Sequence, residues 1–259
     1  MAIDLNALRE KHQQLTNPTQ AGNSDFLNKF YQVKEGEAYL RILPEKEGSG
    51  KTFYAETKIH RVPSEEDNSV KNYHCRKVHG EKCPLCDLYY GLWKTGSKED
   101  EDLARQIKPR SRYYLNVFDR TSESVKIFSI GVILFQKIVE TMMDPDYADL
   151  FEKSDNGILD PEIGHDFKLH MKKEGKWPKY DQSMFRPKAT SLGSKKLVGE
   201  VMSSLHDVHG LVKLEEYDTF KEVAQELRPG MGTRERSLPK TEASDDDVSN
   251  DDYTKRLMS

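Results

Sequence analysis

Three cysteines lie within twelve residues of the chain, and their type and spacing are suited to binding a metal ion. Cys83 and Cys86 form a Cys-x-x-Cys turn, and Cys75 lies eight residues before it. In such a turn both sulfurs can point at one centre, about 2.3 Å from a zinc ion. The chain has no other cysteine, so the pattern predicts one structural Zn²⁺ site and not a disulfide framework.

A tetrahedral zinc site needs a fourth ligand, and the nearby candidates are histidines. His74 is the weakest of them, because it adjoins Cys75 and neighbouring side chains of an extended segment point to opposite faces. His60 would tie a strand to the cysteine loop, whereas His79 would make a tighter local site. Spacing alone leaves His60 and His79 as alternatives.

An enzymatic role for this site is disfavoured by the same spacing. A zinc deaminase requires a His-x-Glu segment well ahead of its Pro-Cys-x-x-Cys motif. Here the nearest such segment is His79-Gly80-Glu81, which ends two residues before Cys83. The chain also shows no Gly-rich phosphate loop and no clear cluster of metal-binding carboxylates, so we expect no catalytic activity.

Two stretches combine cationic with aromatic side chains, at residues 108–114 and 167–186. Proteins that bind single-stranded nucleic acid use this mixture, because cations follow the phosphates while exposed rings stack on unpaired bases. The competing interpretation is that the rings belong to the core and the lysines are merely solvated. The candidates in the second stretch are Lys172, Lys173, Trp177, Tyr180, Phe185 and Arg186.

The net charge of −4 conceals an uneven distribution along the 259 residues. Residues 168–196 carry nine Lys or Arg against two acids, whereas residues 241–259 carry six acids against two bases. A mean hydropathy of −0.80 predicts a modest core with flexible ends. We expect the basic body and the acidic tail to have different partners.

Membrane insertion and secretion are not expected. The segment after Met1 interleaves leucines with charges and does not resemble a signal peptide. The longest apolar run, residues 130–135, is far shorter than the roughly 18 residues that suggest a membrane span.

The elements that must position these residues form a mixed α+β pattern. Alternating or apolar runs predict five strands, at residues 37–43, 52–60, 112–118, 125–130 and 167–173. Helical patterns occur at residues 4–15, 87–94, 98–107, 131–142, 194–205 and 217–227. Five short strands with helical insertions favour a five-stranded, partly open OB-fold barrel.

Three regions follow from this pattern. Residues 1–24 form an N-terminal arm with a short helix, and residues 25–228 form the OB-fold core with an inserted zinc-binding subdomain at about 60–107. Residues 229–259 form a flexible acidic tail. Within the helix at 131–142, we expect Ile133, Ile138 and Met142 to face the core.

The loop from Cys75 to Cys86, with its His79-Gly80 and its Cys83-Pro84-x-Cys86 ending, resembles the zinc loop of the T-even-type bacteriophage single-stranded DNA-binding proteins. Residues 37–44, 108–116 and 131–138 resemble further segments of that family in the same order. The resemblance covers roughly residues 35–185. It implies an OB fold that carries a zinc subdomain, with DNA lying in the basic cleft between them.

The resemblance also implies roles for individual residues. In the family one histidine and three cysteines bind zinc, and the histidine precedes the first cysteine at the end of a strand, which corresponds to His60. The DNA contacts that the family pattern implies are Tyr89, Lys108, Arg110, Arg112, Tyr113 and Tyr114.

The function that the resemblance implies is to coat unpaired DNA without sequence preference, in phage replication, recombination and repair in the host cytoplasm. Neighbouring protomers would dock through a basic N-terminal segment, which is reduced here to Arg9 and Lys11. Replication and recombination proteins would bind the acidic tail. The alternative function is a zinc-knuckle adaptor that recruits replication proteins through that tail.

Overall fold

The computed structural model describes residues 26–46, 48–63, 70–175 and 177–228. The predicted helix at residues 4–15 and the acidic tail lie outside these residues. The described strands are β1 (Gly36–Ile42), β2 (Tyr54–Pro63), β3 (Val70–His74), β4 (Arg110–Asp119), β5 (Ser124–Ile130), β6 (His165–Glu174), β7 (Trp177–Lys179) and β8 (Met184–Ala189). The described α-helices are α1 (Pro84–Trp93), α2 (Lys98–Ile107), α3 (Val132–Met142), α4 (Ala148–Lys153), α5 (Lys195–Ser203) and α6 (Tyr217–Leu227).

Strand β4 is the centre of an antiparallel sheet that curls into a half-barrel. One edge of β4 is shared by two strands, because β2 pairs with residues 110–115 and β1 pairs with residues 117–119. Strand β5 pairs along the opposite edge. The sheet therefore divides into two branches. In the first, β2 pairs with β3; in the second, called the β1–β6 branch, β1 pairs with β6, and β6 pairs in turn with β7 and β8.

The five predicted strands are all present, as β1, β2, β4, β5 and β6, but the predicted number is too low. The missed strands are short and lack an alternating apolar face. No residue of β3 or β7 is buried, and β8 buries only Phe185. Period-two alternation signals a strand with one buried face, so these strands gave no such signal.

The main core lies between one face of the sheet and α3. Alternate residues of four strands point into it, as the two-residue period of a strand requires. Helix α3 contributes Leu134, Phe135 and Ile138. Met142 packs against this core as predicted, but Ile133 is 67 % exposed, so its predicted core position is wrong. The strand residues in this core include Leu40, Ile42, Leu115, Val117, Phe128, Ile130, Phe167 and Leu169.

A second hydrophobic cluster surrounds the cysteines. It joins α1 and α2 to α6, which returns from the end of the described chain to pack Phe220 and Ala224 against them. Ser97 caps α2, since its hydroxyl accepts a hydrogen bond from the Asp100 amide. The cysteine region therefore has its own apolar interior, and part of it comes from a segment more than 100 residues away in sequence.

A buried ion pair links β1 to β6 next to the paired residues Leu40 and Phe167. Arg41 is fully buried, and its guanidinium contacts Asp166 Oδ1 at 3.1 Å and Asp160 O at 2.9 Å. It also donates to the carbonyl and hydroxyl of Thr190. Arg120 contacts the same Asp166 oxygen at 3.0 Å. One carboxylate thus serves two arginines, and the backbone carbonyls accept the remaining donors.

Candidate metal centre and nucleic-acid interface

His60 and the three cysteines converge at one buried point. Their ligand atoms all lie within 4.8 Å of one another. His60 Nε2 lies 3.5 Å from the sulfurs of Cys83 and Cys86, and the sulfurs of Cys75 and Cys86 are 3.4 Å apart. Four ligands 2.0 to 2.3 Å from a tetrahedral zinc would be roughly 3.5 to 3.8 Å apart. The arrangement therefore has about the size of a zinc tetrahedron.

Each ligand is positioned by a different local structure. His60 lies in β2 opposite Tyr73 of β3, and Cys75 follows the last residue of β3. The Cys75 amide donates to Lys58 O at 2.7 Å, which fixes its position beside β2. Cys83 is the N-cap residue of α1, and Cys86 lies in its first turn. The positive end of a helix dipole favours thiolate there.

The ring of His60 is oriented by a backbone contact. Its Nδ1 lies 2.8 Å from Ile107 O, at the end of α2. A carbonyl can only accept, so Nδ1 carries the proton and Nε2 presents its lone pair to the cysteines. Metal-binding histidines in proteins are held in this way by a carbonyl or carboxylate on the second nitrogen.

Contacts among the thiols shift the pKa values of Cys75 and Cys86 in opposite directions. Hydrogen bonds from Cys83 and Cys86 lower the pKa of Cys75 to about 3. The corresponding contacts with Cys75 and Cys83 raise the pKa of Cys86. These contacts therefore favour the thiolate of Cys75 over that of Cys86. A bound divalent cation would favour all three thiolates, so the donor set is suited to a metal ion such as zinc.

The other two candidates for the fourth ligand, His74 and His79, lie outside this cluster. His79 is exposed in the loop between Cys75 and Cys83. His74 Nδ1 lies 3.1 Å from the Thr57 hydroxyl, and burial lowers the pKa of His74. Among the described residues, the one group able to hold a metal ion is therefore formed by His60 and the cysteines.

The first basic-aromatic stretch separates into exposed cations and buried rings. Lys108 and Arg110 are exposed, and Arg112 is half-buried. Tyr113 and Tyr114 are only 2 % and 8 % exposed. The expectation that these two rings are exposed for base stacking is therefore wrong.

Internal contacts account for the burial of both tyrosines. The Tyr113 ring stacks on Phe135 of α3 with 3.8 Å between centroids, and its hydroxyl donates to Glu56 Oε1 at 3.2 Å. Tyr114 packs edge-on against Phe30 and points its ring toward the opposite face of the sheet. Adjacent strand residues face opposite sides, and here each side has its own apolar cluster.

The second stretch forms an exposed hairpin and contributes two buried rings, those of Phe167 and Phe185. Trp177, at the start of β7, is 69 % exposed, and Lys172 and Lys173 are exposed on the adjoining end of β6. Arg186 is exposed on β8, with its guanidinium 5.1 Å from the Tyr39 ring centroid. Phe185 is 4 % exposed. Its ring packs edge-on against Phe167 in the core, so it is not exposed for stacking on DNA.

The two stretches approach one another beside α3. Burial raises the pKa of Tyr180, and the nearby positive charge of Arg112 opposes that shift. Lys137 of α3 donates to Asp181 O at 2.6 Å, next to Tyr180. Arg112 and Tyr180 therefore lie near one another, although Arg112 is in β4 and Tyr180 follows β7, about 70 positions later in the sequence.

Helix α1 carries aromatic residues that sequence reasoning missed. Tyr89 was predicted, and it lies half-buried, 5.0 Å from the Tyr90 ring and 6.4 Å from the Trp93 ring. Tyr90 and Trp93 are 47 % and 38 % exposed. The available signal was their spacing after Cys86, since residues three and four apart are neighbours on a helix surface.

Comparison with known families gives one clear match. A family model described as "gp32 DNA binding protein like" matches residues 34–229, about three quarters of the chain. The chain belongs to this family of gp32-like DNA-binding proteins. No curated protein matches the chain.

The region matched by the gp32-like family contains every feature described above. It includes the His60–cysteine cluster, both basic-aromatic stretches and the aromatic face of α1. Among the described helices, none is both long and apolar enough to cross a membrane.

Proposed function

We propose that this protein binds and coats single-stranded DNA without sequence preference. The observation that carries the proposal is the family match over residues 34–229. The exposed surface supports it, because cations and aromatic side chains occur together there and duplex DNA offers no unstacked bases to such rings. We further propose that the five predicted strands form the OB-type part of the half-barrel.

The proposed DNA contacts are the predicted residues whose side chains reach the surface. Cations would neutralise phosphates, and rings would stack on bases. Tyr113, Tyr114 and Phe185 are excluded, because their burial supports a structural role. The remaining contacts are Tyr89, Lys108, Arg110, Arg112, Lys172, Lys173, Trp177, Tyr180 and Arg186.

The metal in this proposal is a structural Zn²⁺ held by His60, Cys75, Cys83 and Cys86. Four protein ligands leave no open position for water, which favours structure over catalysis. The ion would contribute to folding of the cysteine region. Its effect on DNA would be indirect, because the ligands belong to the same apolar cluster that holds α1 and α2.

In the cell this activity would serve replication, recombination and repair of bacteriophage DNA. The acidic residues 241–259 would contact replication and recombination proteins, and neighbouring protomers would meet along the DNA. Removing residues 241–259 tests the alternative of a tail-based adaptor. A DNA-binding protein keeps or gains affinity for DNA without its tail, whereas an adaptor loses its protein partner.

A salt-dependent anisotropy titration tests the proposal directly. Labelled single-stranded DNA, the matching duplex and an RNA of the same sequence are compared between 50 and 300 mM salt. With six proposed cations on phosphates, the slope of log K against log salt for the single strand should approach about −4. Equal affinity for duplex and single strand, or an affinity that does not change with salt, contradicts the proposal.

A matched pair of variants separates local contact from net charge. Arg110→Gln removes an exposed charge from the proposed surface and should make the salt slope about 0.7 units less steep. Lys153→Gln removes the same charge from α4, where Lys153 pairs with Asp149. The second variant should leave both affinity and slope unchanged. Equal losses in both variants would mean that only the overall charge matters.

A further inference from the structure

An exposed aromatic patch on α1 includes the predicted contact Tyr89 and extends beyond it to two rings that the sequence analysis did not single out. It consists of Tyr89, Tyr90 and Trp93, with Lys77 and Arg105 beside the rings, and is called the α1 patch below. Large aromatic side chains contribute most to stability when they are buried, yet Tyr90 and Trp93 remain 47 % and 38 % exposed. We propose that the α1 patch is a second base-stacking platform, which holds one or two unpaired nucleotides of the bound strand.

The patch is anchored by the adjacent, buried face of the same helix. Leu85, Leu88 and Leu92 are fully buried in the cluster around the cysteines. Trp93 follows Tyr89 by four residues and Tyr90 by three, so the three rings are neighbours on the surface of α1. A platform fixed in this way loses little side-chain freedom when a ligand binds.

Cations accompany the rings on two sides. Lys77 Nζ lies 5.3 Å from the Tyr90 ring centroid, and the Arg105 guanidinium lies 5.4 Å from the Trp93 ring centroid. Arg105 is also paired with Glu101 at 3.0 Å and Asp102 at 2.7 Å. Its charge is therefore already balanced, and its flat guanidinium is best suited to extending the stacking surface.

The charges available for phosphates lie at the two ends of the patch. Within the described part of the chain, Lys77 and Arg110 form no ion pair with an acid. Arg110 Nη2 donates to Arg105 O at 3.3 Å, so the patch is continuous with the proposed contact segment from Lys108 to Arg112. Flat rings in the middle with cations at both ends match the alternation of base and phosphate along a nucleotide chain.

This inference rests on the proposed single-stranded DNA binding and extends it to a specific surface. An apolar protein helix would also use exposed rings, but it would gain nothing from the flanking cations. An acidic peptide would use the cations, but it would not need three clustered rings. An unpaired nucleotide uses both features.

The two tryptophans of the chain allow the patch to be observed separately. In Trp177→Phe, all tryptophan emission comes from Trp93. Binding is followed with a labelled oligothymidine by anisotropy, and Trp93 emission is recorded in the same titration. We expect quenching of Trp93 that saturates together with the anisotropy, because a stacked base quenches indole emission.

Affinity provides the second readout. Trp93→Ala should weaken the Kd for oligothymidine by at least about fivefold, the effect of losing one stacked base. Its salt slope should stay unchanged, because the ring carries no charge. Trp93→Phe should restore most of the affinity. Phe151→Ala is the control, since Phe151 of α4 has the same 38 % exposure and lies outside the proposed DNA surface.

The possible results separate this inference from the proposed function. Binding seen by anisotropy with unchanged Trp93 emission, and wild-type affinity in a folded Trp93→Ala variant, would overturn the α1 patch while the proposed function stands. An absence of any anisotropy change with single-stranded DNA at low salt would overturn both. Thermal unfolding and zinc content of Trp93→Ala verify that the variant is folded.

Discussion

His60→Ala tests the assignment of the metal centre most directly. The imidazole is fully buried, and its two nitrogens connect Ile107 O to the sulfurs of Cys83 and Cys86. Losing the hydrogen bond to Ile107 costs about 1 kcal/mol, and emptying the buried ring site costs about 2–4 kcal/mol more. The free energy of unfolding should therefore fall by about 3–5 kcal/mol before any loss of metal affinity is counted.

The assay combines zinc content with thermal unfolding, each measured before and after treatment with a chelator. For a protein of this size the expected loss corresponds to a Tm lower by about 6–20 °C. The chelator should lower the Tm of the wild type strongly and that of His60→Ala much less, because the variant has already lost a ligand. His79→Ala is the control, since His79 is exposed and outside the cluster.

The control should keep its zinc, and its Tm should stay within about 2 °C of the wild type, as for most surface substitutions. The reasoning is refuted if both variants retain equal zinc. It is also refuted if His79→Ala loses more zinc than His60→Ala, because His79 would then be the better candidate for the fourth ligand.

Three further predictions concern the core and the surface. Phe185→Ala should lower the free energy of unfolding in urea by about 3–5 kcal/mol, because its ring is in the core. Trp177→Ala should lower DNA affinity in an anisotropy titration and leave the free energy of unfolding unchanged. The opposite pattern would make Trp177 the structural ring and Phe185 the DNA contact. Asp166→Asn should lower the free energy of unfolding by about 3–5 kcal/mol in the same urea assay, because Arg41 is left buried without its counter-charge. The control Asp149→Asn, at an exposed ion pair, should leave that free energy unchanged. Equal losses in the two variants would contradict the role given to the buried Arg41–Asp166 pair. Burial raises the pKa of several tyrosines, so the midpoint of their phenolate absorbance should lie above pH 10. The folded protein favours the protonated form of these tyrosines. Their contribution to the free energy of unfolding is therefore complete below pH 10 and is lost as the pH rises through the folded pKa. Phenolate absorbance that is already complete at pH 10 would contradict the raised pKa values. The tyrosines concerned are Tyr31, Tyr54, Tyr114 and Tyr180.

The secondary structure was predictable wherever a segment buries one face. Strand β1 and helices such as α2 and α3 follow directly from alternation and helical period, and β4 follows from a continuous run of buried residues. Strands β3, β7 and β8 exist because a neighbouring strand offers backbone hydrogen bonds. A backbone partner leaves no mark on side-chain pattern, so these strands could not be read from the sequence.

By itself, the sequence determined which chemistry is available. Cys83 and Cys86 are close in any fold, because two residues separate them in one turn, and the clustering of all three cysteines already indicated a metal. The choice between His60 and His79 depended on which histidine the chain brings to the cysteines. Strand β2 and the end of α2 bring His60 there, since β2 pairs beside Cys75 and Ile107 orients the ring.

Exposure of the aromatic residues was decided by the tertiary structure alone. Tyr113 and Trp177 both lie among cations in the sequence, yet one stacks on Phe135 and the other is 69 % exposed. The difference arises because α3 covers one face of β4, whereas the structure buries no residue of β7. Residue type fixes what a ring can bind, but the packing of distant elements fixes whether a ligand can reach it.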